Sequence, residues 1–100
     1  MLRPRELLPH WNIPYLALGG VTLVPRSASA ACVHRILAER CKFLGYEGFT
    51  LHADGKYQPH LEWSASWSPT SVPSESEIIS QLDEASTDVT HYEFVFESDL

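Results

Sequence analysis

The sequence predicts an α+β domain, a single-layer antiparallel sheet with two helices on one face, and three stretches carry that prediction. Residues 29–44, SAACVHRILAERCKFL, repeat apolar side chains at helical spacing. Residues 47–53 and 57–63 flank Asp54-Gly55, a strong hairpin signal. Residues 91–97, HYEFVFE, alternate as a strand with one buried face does. At 100 residues, 44% of them hydrophobic, the chain is one domain with a modest core.

The elements follow in order. Residues 1–12 read as an irregular N-terminal arm, or one short helical turn around Glu6–Leu8 ended by Pro9, with Trp11 as its anchor. Residues 13–24 form the most apolar run, and Gly19-Gly20 at its middle allows two readings. A two-residue turn there faces Leu18 with Val21 and Leu16 with Leu23, so that four aliphatic side chains share a face. A single strand with a glycine bulge instead aligns Tyr15, Ala17, Val21 and Leu23.

In the first helix, Val33, Ile36, Leu37, Cys41 and Leu44 make the apolar stripe, with Ser27 or Ser29 as N-cap and Gly45 just past the end. Cys32 and Cys41, nine residues apart, then fall on opposite faces about 13 Å apart along the axis, too far to pair. Cys41 reads as a small core residue. Cys32, in the first turn, is where a helix dipole lowers a thiol pKa, which makes it the one candidate nucleophile.

For the second hairpin, a two-residue turn at Asp54-Gly55 sets apolar side chains beside polar ones. A three-residue loop, Ala53-Asp54-Gly55, pairs Leu51 with Tyr57 and Phe49 with Pro59 and places the apolar side chains together. Tyr57, Leu61, Trp63, Ala65 and Trp67 continue the buried stripe in that reading, opposite His52, His60 and Glu62 on the polar face. Pro59 cannot donate to a ladder, so the strand is an edge or is bulged. Residues 68–73, SPTSVP, are an internal surface loop. Ser74 to Glu77 form a capping box opening a second helix whose narrow apolar face is Ile78, Leu82 and Ala85. In the last strand Tyr92, Phe94 and Phe96 face inward. The order is ββαββαβ, or ferredoxin-like βαββαβ if residues 13–24 are one strand.

The net charge of −6 is unevenly placed. Residues 1–74 hold all seven Lys and Arg and balance at +2, whereas residues 75–100 hold eight acids and no Lys or Arg, a balance of −8. That end repels phosphate backbones, and the Tyr57, Trp63, Trp67 stripe lacks the interleaved cations of a base-stacking platform, so nucleic acid is not an expected partner. A basic protein surface is. Glu75, Glu77, Asp83, Glu84, Asp88, Glu93 and Glu97 are the candidate binding residues.

Chemistry is less visible. No histidine pair has metal-ligand spacing, because the hairpin sets His52 and His60 about 13 Å apart along the strand. No nucleophile motif is present, and no cofactor is expected. His52 or His60 with Glu62 could do acid–base work in a pocket lined by Tyr57, Trp63 and Trp67, the alternative reading as a small-molecule binder or cofactorless enzyme. A homo-oligomeric structural subunit, such as a homodimer joined through a sheet face or edge, is the third reading. No apolar run reaches membrane-spanning length and the prolines and charges of residues 1–14 do not suit a signal peptide, so the expected location is the cytoplasm.

Overall fold

The computed structural model describes residues 2–98; Asp99, one of the C-terminal acids, lies outside the described residues. The chain runs through α1 (Pro4–His10), β1 (Leu16–Leu18), β2 (Val21–Pro25), α2 (Ser29–Ala38), β3 (Lys42–Leu51), β4 (Tyr57–Ser66), α3 (Glu75–Glu84) and β5 (His91–Glu97). The five strands form an antiparallel sheet in the order β1-β2-β5-β3-β4. The last strand therefore lies between β2 and β3 and spans the acidic third into the middle of the sheet.

Both hairpin registers match the side-chain pattern. Gly19-Gly20 turn the chain with Leu18 opposite Val21 and Leu16 opposite Leu23, so residues 13–24 are not one strand. The second hairpin pairs Leu51 with Tyr57 and Phe49 with Pro59. The N-terminal arm is more regular than expected. It is a two-turn helix that keeps Pro9 inside, buries Leu7 and Leu8, and closes with Asn12 at φ 58°, the Ile13 N–H reaching the Leu8 carbonyl at 3.0 Å.

Helix α2 stops six residues earlier than its apolar spacing suggests. Arg40, at φ 56°, takes the left-handed C′ position expected of Gly45, and the Cys41 N–H donates to the Ile36 carbonyl at 3.1 Å. Residues 42–44 belong to β3 instead, because Phe43 pairs with Phe96 in the sheet centre and that contact outweighs two further helical turns. Neither Ser27 nor Ser29 caps the helix by its side chain: residues 26–28 form a 3-10 turn, and the Ser29 hydroxyl donates to the Pro25 carbonyl.

The core lies between sheet and helices. Cys32, Val33 and Ile36 of α2, Ile78 and Leu82 of α3, and Leu7 and Leu8 of α1 cover Phe43, Tyr46, Tyr92, Phe94 and Phe96. Burying each such side chain contributes about 1.5–3 kcal/mol.

The single buried stripe expected along β4 is broken by a bulge. His60 pairs with Gly48 and Ala65 with Tyr46, so the chain between them loops out against Glu47 alone. Ser64 closes the gap, its hydroxyl accepting from the Gly48 N–H at 3.4 Å and donating to the His60 carbonyl at 2.8 Å. An odd number of inserted residues swaps the faces. Trp63, Ala65 and Trp67 pack toward the helices, Tyr57 joins Phe49 on the outer face at 5.8 Å, and Leu61 is left 84% exposed. The β1–β2 hairpin curls over that outer face, burying Leu23 and bringing Gly19 near the Tyr57 hydroxyl.

Candidate functional site

The acidic residues divide between two surfaces on opposite sides of the sheet. Helix α3 is one. Ser74 caps it, accepting from the Glu77 N–H at 3.2 Å, so Glu75 and Glu77 sit in the first turn where the helix dipole favours carboxylates. Asp83 and Glu84 sit in its last turn, where the same dipole opposes them.

Arg26 makes that end possible. Its Nη1 donates to the carbonyls of Ser86 and Val89, and its Nη2 to those of Leu82, Asp83 and Ala85, at 2.7–3.3 Å. The guanidinium satisfies carbonyls that a helix end leaves unpaired and sets a positive charge against the negative end of the dipole. The Tyr92 hydroxyl adds a bond to the Leu82 carbonyl at 2.9 Å. On the exposed side of α3, Glu75, Ser76, Ile79, Ser80, Asp83 and Glu84 line a shallow groove of about 510 Å³, acids at both ends and the half-buried Ile79 between them. Glu75 also meets His34 Nδ1 of α2 at 3.1 Å. Asp88 follows in the loop, its backbone engaged by Thr50 and Ser86.

Glu93 and Glu97 point the other way, on the outer face of the sheet. Glu93 lies directly opposite Glu47, and its carboxylate accepts from the Thr22 N–H at 2.8 Å. Burial above all, and then Glu47, push its carboxyl above the usual range, against the opposing pull of the Thr22 bond and Arg5. Glu97 lies opposite Lys42.

The proposed pocket residues are dispersed. His52 is exposed in the hairpin turn, Tyr57 lies on the outer face, and Trp67 packs edge-on to Phe43 and Tyr46 with its indole N–H 2.6 Å from the Phe43 carbonyl. His60 and Glu62 do meet. Glu62 Oε1 is 3.3 Å from His60 Nδ1, and His60 Nε2 is 2.6 Å from the Thr50 hydroxyl, an order of groups that resembles a nucleophile, base and orienting acid. The same hydroxyl lies 2.6 Å from the Asp88 carbonyl. A carbonyl can only accept, so the one hydroxyl proton goes to Asp88 and His60 Nε2 must donate to Thr50. A donating nitrogen cannot act as the base for that hydroxyl. The arrangement therefore ties β3, β4 and the α3–β5 loop together.

Two other expectations about reactive groups can be placed. Cys32 is fully buried, and burial pushes its thiol up to about 12, the reverse of the lowered value a nucleophile needs. Among the described residues, no group of three or more His, Cys, Asp and Glu could hold a metal ion, and no helix is long and apolar enough to cross a membrane.

No family model matches the chain, and no curated protein or solved structure is significantly similar to it.

Sequence reasoning missed Arg26, Thr50 and Ser64. Arg26 follows a proline with nothing local to mark it, and its partners lie 56–63 residues away.

Proposed function

We propose that the chain is a non-enzymatic acidic binding module, inhibitor-like in character, that engages a basic protein surface through α3. The observation that carries this reading is the position of Asp83 and Glu84. Carboxylates at a helix C-terminus lower helix stability, and here they are retained on an exposed face that a dedicated arginine holds in place. Side chains that work against their own helix, beside a partly exposed isoleucine, suit recognition better than stability.

Glu75, Glu77, Asp83 and Glu84 of α3, with Asp88 in the loop that follows, would steer a cationic partner, while Ile79 supplies the apolar contact that charge alone lacks. The mechanism is electrostatic steering followed by burial of the helix face, and no bond is made or broken. Salt screens such steering with a Debye length of about 8 Å at physiological ionic strength. The test is affinity capture from a cell lysate at low and high salt, with the wild-type chain and with Asp83→Lys/Glu84→Lys as parallel baits. A basic protein retained by the wild type at low salt, released at high salt and absent from the charge-reversed bait supports the reading. Equal retention by both baits contradicts it.

A further inference from the structure

The outer face of the sheet is closed at one end and open at the other. Phe49 and Tyr57 pack edge to face, with Gly19 of the β1–β2 turn near the Tyr57 hydroxyl. Beyond them runs a groove of about 570 Å³ whose lining includes Leu44, Gly45, Glu47, Leu61, Ala65 and Val95. Leu61 is 84% and Val95 46% exposed, so two of the large apolar side chains left in water share one groove. Scattered surface leucines are ordinary, but apolar side chains gathered along a concave, polar-rimmed surface mark an interaction site.

Two irregularities shape this groove. The β4 bulge begins at Leu61, and a second bulge in β3, between Phe43 and Gly45, sets Gly45 against β4 in the lining. A Cβ at Gly45 would collide with the Ala65 carbonyl. Glycine at this position is what lets β3 and β4 approach so closely.

Glu47 supplies the charge in the groove's lining. Glu47 and Glu93 are direct cross-strand partners, an arrangement that destabilises a sheet. Glu97 lies further along the same face, with Lys42 opposite it. Arg5, the cation near Glu93, has its guanidinium engaged by the Gly19 and Val21 carbonyls and the Thr22 hydroxyl.

We propose that this groove binds an extended segment of a partner protein in which an apolar residue and a lysine or arginine stand two positions apart. The apolar side chain seats between Leu61 and Val95, and the cation faces the Glu47–Glu93 pair. The two-position spacing follows from the site, since an extended segment laid along the sheet presents every second side chain to it. Charge selects this occupant over a second copy of the chain, whose own Glu47–Glu93 pair would meet the same pair. Anionic surfaces are repelled in the same way. This site is on the far side of the sheet from α3 and does not depend on the α3 reading.

The experiment titrates labelled peptides into the full chain at about 0.15 M ionic strength, following anisotropy and backbone amide shifts. One peptide carries leucine and lysine in turn at every second position with serine between them, and its control replaces lysine with glutamate. The expected result is binding of the lysine peptide alone, with shifts at residues 44–47, 61–66 and 95, and a loss of about tenfold or more in affinity for Glu47→Lys and for Leu61→Ser separately. Leu61 is exposed, so its substitution leaves the fold intact, and Asp83→Lys/Glu84→Lys leaves peptide binding unchanged. Absence of binding, shifts confined to α3, or affinity that survives both groove substitutions would overturn the proposal. So would a concentration-dependent dimer abolished by Val95→Asp, which would assign the groove to a second copy.

Discussion

The Nη1 of Arg26 lies 2.7 Å from the carbonyl of Ser86, sixty residues further along the chain, and through that contact the 3-10 turn before α2 holds the end of α3. The guanidinium reaches four more carbonyls from the same position. Bonds to a charged donor contribute more than neutral ones, about 1.5–3 kcal/mol each, though bonds sharing one donor do not add. Arg26→Ala is expected to cost roughly 2–4 kcal/mol in urea unfolding, with the carbonyls of the last α3 turn left to water. Arg26→Lys restores only part of this, since an ammonium cannot present the planar fork. A loss below about 0.5 kcal/mol, the range of ordinary surface substitutions, would contradict the role assigned to Arg26.

The opposed Glu47 and Glu93 give a prediction in the stabilising direction. Removing one charge from a directly opposite like-charged pair is worth roughly 0.2–1 kcal/mol, so Glu47→Gln should raise the thermal midpoint while weakening binding of the lysine-containing peptide. A variant both less stable and equally competent in binding would count against the groove.

Glu93 makes the stability of this face depend on pH. Its carboxyl is raised in the folded chain, so the folded state binds that proton more tightly than the unfolded state does. Its contribution therefore favours folding below the ordinary carboxylate value and is lost as pH rises through the folded value. Glu93→Gln keeps an oxygen to accept the Thr22 N–H and removes the charge. The variant is expected to be more stable than wild type at pH 7, with the gap closing on acidification, as followed by urea midpoints across the pH range. A gap of the opposite sign at neutral pH would contradict this.

Much of the fold was readable from side-chain patterns, and what was not readable is long-range. The two hairpin registers and the inward set Tyr92, Phe94 and Phe96 follow from alternation and turn chemistry, which are local. The end of α2 does not. Phe43 fits a helical stripe as well as a strand, and only the partnership with Phe96 decides between them. The β4 bulge is likewise invisible locally, because Leu61 and Trp63 alternate as they would in a regular strand, and the extra residues are accommodated by a hydroxyl, Ser64, bonded across to β3. The candidate acids were legible as a cluster in sequence. Their division between α3 and the outer face was not, since it depends on where β5 inserts in the sheet.

Gly48 tests the bulge itself. A Cβ at that position would lie 2.8 Å from the Trp63 carbonyl oxygen and 3.1 Å from the Trp63 Cβ, so Gly48→Ala must push β4 off β3. A destabilisation of about 1–3 kcal/mol is expected, the range for overpacking a close contact, together with a change in Trp63 fluorescence. An unaltered midpoint and spectrum would show that the two strands do not approach this closely.

The central claim is that α3 is a recognition surface, and its most direct measurement is calorimetric titration of the captured basic partner into wild-type chain and Asp83→Lys/Glu84→Lys, with thermal midpoints taken on the same samples. The account predicts at least about a tenfold loss of affinity, or 1.4 kcal/mol, with the midpoint unchanged or raised, because cations suit the C-terminal end of a helix. Undiminished affinity would show that the acids of α3 do not contact the partner, and would contradict the claim.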